Sequence, residues 1–133
     1  MQLKLNNNLI EVQRVRLAVE EYCQHLDVSD KTIHRITLAM EELITNTVNY
    51  GYTDTAPHFI DLTLQQRENC LVIDIIDDAG GFDPRESQSG SLQGALQDRP
   101  IGGLGLHLLT YLSDDIGHRH LTPGNHTTLT FII

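Results

Sequence analysis

The sequence predicts an α+β two-layer sandwich: one mixed, mostly antiparallel sheet with the helices on one face, formed by a single domain over residues 1–133. Three observations predict it. Two long segments carry apolar residues at spacings of three and four, shorter apolar or alternating segments come in pairs around polar turns, and a glycine-rich turn opens a further helix. A chain of 133 residues can close one core without staples. With 40% hydrophobic and 20% charged residues, it has the composition of a folding domain and not of a disordered or fibrous chain.

Gln2 to Leu5 alternate polar and apolar, which suits a short strand, and Asn6 to Asn8 then offer side-chain oxygens for a helix start. From Leu9 to Leu26, Val12, Val15, Val19, Tyr22 and Leu26 draw one apolar stripe. Ser29 or Asp30 caps a second helix. There Ile33, Ile36, Met40, Leu43, Ile44, Thr47 and Val48 share a face until Gly51 and Pro57 stop it. Phe59 to Gln65 and Cys70 to Asp77 read as a hairpin across Gln66 to Asn69. Residues 78–102 are rich in Gly, Ser, Gln, Asp and Pro, the composition of a long lid. GGLGLHLLTYL then leads into a helix, and Asp115 to Leu121 with Thr127 to Ile133 closes the chain as a hairpin around Pro123 and Gly124.

Nine Lys and Arg against eighteen Asp and Glu give a formal net charge of −9, which repels a phosphate backbone and an anionic membrane surface. Neither nucleic acid nor membrane is an expected partner. A nucleoside triphosphate would need backbone amides, a helix N-terminus and a divalent cation to hold its phosphates. Cys23 and Cys70 lack a CxxC spacing, and MQLKLNNNLI lacks a cationic stretch followed by an apolar run. No segment approaches 18 consecutive apolar residues, so a reduced, cytoplasmic setting is expected.

Three constellations could carry chemistry. With about 100° per residue, Glu42, Asn46 and Asn49 fall opposite the apolar stripe of the second helix. A solvated face explains that pattern. The sharper reading is a carboxylate that orients an attacking hydroxyl, one turn from a carboxamide oxygen able to bind Mg²⁺. IIDDAGGFDP, residues 75–84, is either a plain turn or a buried Asp77 awaiting a donor such as the exocyclic amino group of adenine. RPIGGLGLHLL, residues 99–109, puts glycines before a helix, either as a hinge or as an anion site. These segments carry no lysine, and Arg85 and Arg99 read first as solvated lid residues and only second as partners of the phosphates. His118 and His120 share a strand face but lack the further ligands of a zinc site.

In chain order, EELITNTVNYGY (41–52), DDAGGFDP (77–84) and GGLGLHLL (102–109) resemble the N, G1 and G2 boxes of the GHKL ATPase superfamily. The likeness is greatest to its small anti-sigma-factor serine kinases of the RsbW and SpoIIAB type, and it covers nearly the whole chain. It implies the Bergerat ATP-binding fold, ATP and Mg²⁺ as cofactors, Glu42 as the catalytic carboxylate and Asn46 as the Mg²⁺ ligand. It further implies nucleotide contacts from Asn49, Asp77, Gly81, Gly103, Leu104, Gly105 and Thr128, the last lying near Asp77. Ala79 and Ile101 stand where such boxes usually carry glycine. The implied activity is phosphorylation of a serine on a STAS-domain anti-anti-sigma partner. A sigma factor or other regulator would be a second partner, and relatives of this kind commonly form homodimers. The alternatives are a nucleotide-binding module that sequesters a partner without kinase activity, and the catalytic domain of a histidine kinase.

Overall fold

The computed structural model describes residues 1–80 and 103–133. Its elements are β1 (Gln2–Asn6), α1 (Ile10–Gln24), α2 (Asp30–Tyr50), β2 (Phe59–Arg67), β3 (Cys70–Asp77), α3 (Gly103–Leu112), β4 (Asp115–Leu121) and β5 (Gly124–Ile132). The strands form one sheet in the order β1-β2-β3-β5-β4. All four pairings are antiparallel, so the mixed sheet allowed by the sequence resolves to an antiparallel one among the described strands. Tight turns require this for β2–β3 and β4–β5, because a two-residue connection can only reverse the chain.

Strand alternation sets the core. Ile60, Leu62 and Leu64 on β2, Leu71, Ile73 and Ile75 on β3, and Leu129 and Phe131 on β5 are buried beneath the helices. Val15, Val19 and Cys23 of α1 and Ile36, Met40, Leu43 and Ile44 of α2 complete that core. Ser29 is the N-cap of α2, its hydroxyl accepting the Thr32 amide at 3.2 Å. At the head of α1 the Asn8 carboxamide accepts the Ile10 amide at 3.0 Å.

Two strand ends differ from the sequence reading by two residues or more. β2 runs on to Arg67, which pairs with Cys70 and leaves Glu68 and Asn69 as the turn, Glu68 having a φ of 50°. β5 begins at Gly124, three residues before Thr127, because the polar Asn125 and His126 pair with Asp77 and Ile76. Among the described residues no helix is long and apolar enough to cross a membrane.

α2 is the central helix, packed against both α1 and α3. From Arg35 to Val48 none of its residues is exposed. A solvated polar face therefore does not account for Glu42 and Asn46, whereas Asn49 at the end of the helix is exposed.

Candidate functional site

The last turns of α2 lie against the end of β3. Gly51 caps the helix, its amide donating to Thr47 O at 2.9 Å, and Gly51 O accepts the Gly80 amide at 2.6 Å. A Cβ at Gly51 would sit 2.5 Å from Thr47 O and 2.7 Å from the Ala79 methyl, too close for any other residue without a shift. Ala79 itself, outside the left-handed region, needs no glycine. The methyl at 79 and the bare backbone at 51 are complementary.

Back along α2 from this contact come the polar residues. Asn46 stands about 7 Å up the axis at the helical rise, and Glu42 one further turn beyond it. Asn46 is only 4% exposed, and its Nδ2 is buried without a hydrogen-bond partner. A buried donor left unpaired costs about 1–3 kcal/mol, which an apolar side chain would avoid. Glu42 is half-buried.

On the other side of the contact Asp77 ends β3, 6% exposed. Burial raises its carboxyl above the ordinary range, and the Asp78 carboxylate adds to this, against hydrogen bonds from Asn125 and the Ala79 amide and the field of His118. Both hydrogen bonds fall on Oδ1, from Ala79 N at 3.0 Å and Asn125 Nδ2 at 2.9 Å. Among the described residues none donates to Oδ2, which is left for an outside donor.

The neighbouring loop is tied to the same turn. His58 Nδ1 lies 2.9 Å from Asp78 Oδ2 and Nε2 lies 2.7 Å from Asp54 Oδ1, and the ring stacks on Tyr52 at 4.4 Å. Hydrogen bonds to Asp78, then to Asp54, hold the imidazole pKa above its usual value. The Tyr52 hydroxyl is buried beside this cluster; burial, then the charges of Asp77 and Asp78, push it well above the ordinary tyrosine value.

The placement of Thr128 corrects the expectation that it lies near Asp77. Asp77 pairs with Asn125 and Asp74 with Thr128, so alternation carries Asp77, Asn125 and Thr127 to the helix-covered face. Thr128 faces away and donates to Asp74 Oδ1 at 2.7 Å, where His126 Nε2 also lies at 2.8 Å. On Asp77's own face the threonine is Thr127, 3% exposed, its hydroxyl 3.3 Å from His118 Nδ1. Sequence reasoning also missed Asn125, completely buried at the head of β5.

Gly103, Leu104 and Gly105 form the first turn of α3, as the glycine-rich motif predicts for a helix start. Gly81, Arg85, Arg99 and Ile101, with residues 81–102 of the expected lid, lie outside the described residues. The contact of Gly51 with Ala79 and Gly80 joins the end of α2 to the turn after Asp77, with Asn46 and then Glu42 further back along the helix, while Thr128 is on the far face and Asn49 at the exposed helix end.

This fold, with polar residues on its central helix and an acidic strand end beside them, is that of a nucleotide-binding ATPase domain. The chain belongs to the histidine kinase-like ATPase domain family, whose profile matches residues 5–132. It is 29% identical over 113 residues to the serine/threonine-protein kinase BtrW of Bordetella bronchiseptica, a match covering 82% of this chain and 80% of that protein. Among solved structures it resembles the RsbU and RsbW domains of Rv1364c from Mycobacterium tuberculosis, with a TM-score of 0.66 and 19% identity over 99% of this chain and 32% of that one. It also resembles the histidine kinase domain of a blue-light activated histidine kinase from Erythrobacter litoralis EL346, with a TM-score of 0.62 and 17% identity over 93% of this chain and 60% of that one. The chain spans about a third of the first structure, and both likenesses bear on the fold alone.

Proposed function

We propose that this protein is an ATP-dependent serine kinase and anti-sigma-type regulator in a partner-switching pathway, phosphorylating a serine of a STAS-domain partner in the cytoplasm. The observation that carries the reading is a pair of buried polar groups at the ends of β3 and α2: Asp77, whose Oδ2 has no donor among the described residues, and Asn46, whose carboxamide nitrogen is unpaired. A nucleotide suits both. Asp77 Oδ2 would accept from the adenine amino group, and the Asn46 carboxamide oxygen would ligate Mg²⁺, with Nδ2 left to donate to a phosphate or a water. Mg²⁺, when bound, supplies the positive charge that the −9 chain lacks near the phosphates. The amides of the first turn of α3 would face the phosphates.

Glu42 is the general base of this proposal. Its carboxylate takes the proton from the acceptor serine as the serine Oγ–P bond forms and the bond from the γ-phosphorus to the bridging oxygen breaks, releasing ADP. The resemblance to BtrW supports a serine or threonine acceptor. The second reading, a nucleotide-binding module that sequesters its partner without kinase activity, rests on Ala79 in the G1 box and Ile101 before the G2 box, the latter outside the described residues. The fit of the Ala79 methyl against Gly51 speaks for a turn that tolerates it.

Incubation of the purified protein with radiolabelled Mg-ATP and a STAS domain separates the two. The kinase reading expects label on the STAS serine, lost on Glu42→Ala while ATP affinity stays within about twofold, since the general base contributes to the transition state and not to ground-state binding. Nucleotide binding with no transfer by the parent chain selects the binding module. Undiminished transfer by the Glu42→Ala protein removes Glu42 from the chemistry.

A further inference from the structure

Asn125 is completely buried, and both hydrogens of its amide are used: Nδ2 donates to Asp77 Oδ1 at 2.9 Å and to Gly80 O at 3.3 Å. That fixes the orientation of the carboxamide, because turning it over would set an oxygen against two acceptors. Its own Oδ1 is buried and unpartnered. An apolar side chain would carry no stranded Oδ1 but would take the donors from Asp77 Oδ1 and Gly80 O, so what the asparagine gains over it lies in those two bonds. What Asn125 does achieve is local. With Ala79 N it puts both donors on one oxygen of the Asp77 carboxylate, and it bridges that carboxylate to the backbone of the following turn.

The position is equally constrained from behind. Gly124 has a φ of 109°, and a Cβ there would collide with the carbonyl oxygen of Asp77. The head of β5 is thus pressed against the end of β3, and Asn125 cannot withdraw from Asp77 without unpairing the strands.

We infer that Asn125 is a positioning residue for nucleobase recognition: it locks the Asp77 carboxylate so that Oδ2 alone is presented to the base and ties that choice to the Gly80 backbone. This inference rests on the nucleotide reading for its ligand and on the geometry for its mechanism. It sets selectivity too. A fixed acceptor at Oδ2 favours the amino group of adenine over the carbonyl of guanine, which would bring two acceptors together.

Two measurements test it separately from the nucleotide reading. In the nucleotide-free protein, carbon-13 titration of the Asp77 carboxyl should give a higher pKa in Asn125→Ala than in the parent, because a donor to the ionised form is gone. With Mg-ATP and Mg-GTP, Asn125→Ala should lose about tenfold or more in ATP affinity, the scale of a hydrogen bond to a charged group, and should shift the acid limb of binding to higher pH. Its preference for ATP over GTP should shrink, and Asn125→Ser, which keeps a donor, should recover part of each effect. If Asn125→Ala does not fold, Asn125→Ser carries the comparison through an intermediate shift. An unchanged Asp77 titration, or unchanged ATP affinity and selectivity in a folded variant, overturns the inference. Failure of the parent chain to bind ATP overturns the nucleotide reading, and the Asp77 titration then still decides whether Asn125 controls the carboxylate.

Discussion

Asp77 carries a conflict of its own, a carboxyl withdrawn from water whose ionised form is held, among the described residues, by two donors on one oxygen. Burial raises its pKa, so the sign of its contribution is set. Below the ordinary aspartate value the group is protonated in folded and unfolded chains and costs nothing. As pH rises through the raised folded value, the ionised carboxyl increasingly opposes folding. Asp77→Asn, which can still present an oxygen to Asn125 and Ala79, is therefore expected to melt at or above the parent temperature at neutral pH, with the advantage vanishing in acid. It should also weaken ATP binding by about 1–3 kcal/mol, because its amide nitrogen would then face the adenine amino group. Calorimetry on the two proteins checks both halves; a large loss of stability at neutral pH would contradict the account of burial. That Glu42 and Asn46 share one face of α2 was legible because helical period alone puts residues four apart together. Asn125 was not, since its meaning depends on a partner 48 positions away. Thr128 went astray for a related reason: with a period of two, an error of one residue changes the face.

At the scale of elements, the site is made by a contact between a helix end and a strand end. Gly51, Ala79 and Gly80 let α2 and β3 meet at backbone distance, with Gly80 N to Gly51 O at 2.6 Å. Gly51→Ala puts a second methyl 2.7 Å from that of Ala79. The expected outcome is a loss of about 1–3 kcal/mol, the usual cost of overpacking, measured as a lower denaturant midpoint with an unchanged slope. The paired variant Gly51→Ala with Ala79→Gly should recover only the part of the loss due to the Ala79 methyl, because the Thr47 carbonyl oxygen still lies 2.5 Å from the new Cβ, and no recovery at all would show that positions 51 and 79 do not share the space. The helices, the β2–β3 hairpin and β4 were readable from period and turn chemistry, and Ser29 was one of two caps offered. The start of β5 was hidden because Asn125 and His126 are poor strand formers held there by pairing with β3.

On the scale of the whole molecule, an antiparallel sheet in the order β1-β2-β3-β5-β4 puts β3 at its centre, α2 is packed between α1 and α3, and the turn after the middle strand meets the end of the middle helix at Gly51. The two-layer architecture was legible in the sequence because amphipathic helices and paired strands have few other ways to bury their apolar faces. The antiparallel sense of every pairing was not, because the crossover from β3 to β5 passes through residues whose composition carries no periodic signal. The −9 charge belongs to this scale too, since it makes binding of a polyanionic nucleotide dependent on a divalent cation and on helix amides. The central claim is that Glu42 and Asn46 of α2, the end of β3 and the head of β5 surround one ligand. Amide chemical shifts recorded while Mg-ADP is titrated into the isotopically labelled chain test this most directly. The account predicts that Asn46, Asp77, Ala79, Gly80 and Asn125 shift together with one dissociation constant, while Leu17 and Glu21 on the outer side of α1 stay still. Shifts confined to α1, or dissociation constants differing between the α2 and β3 residues, would contradict it.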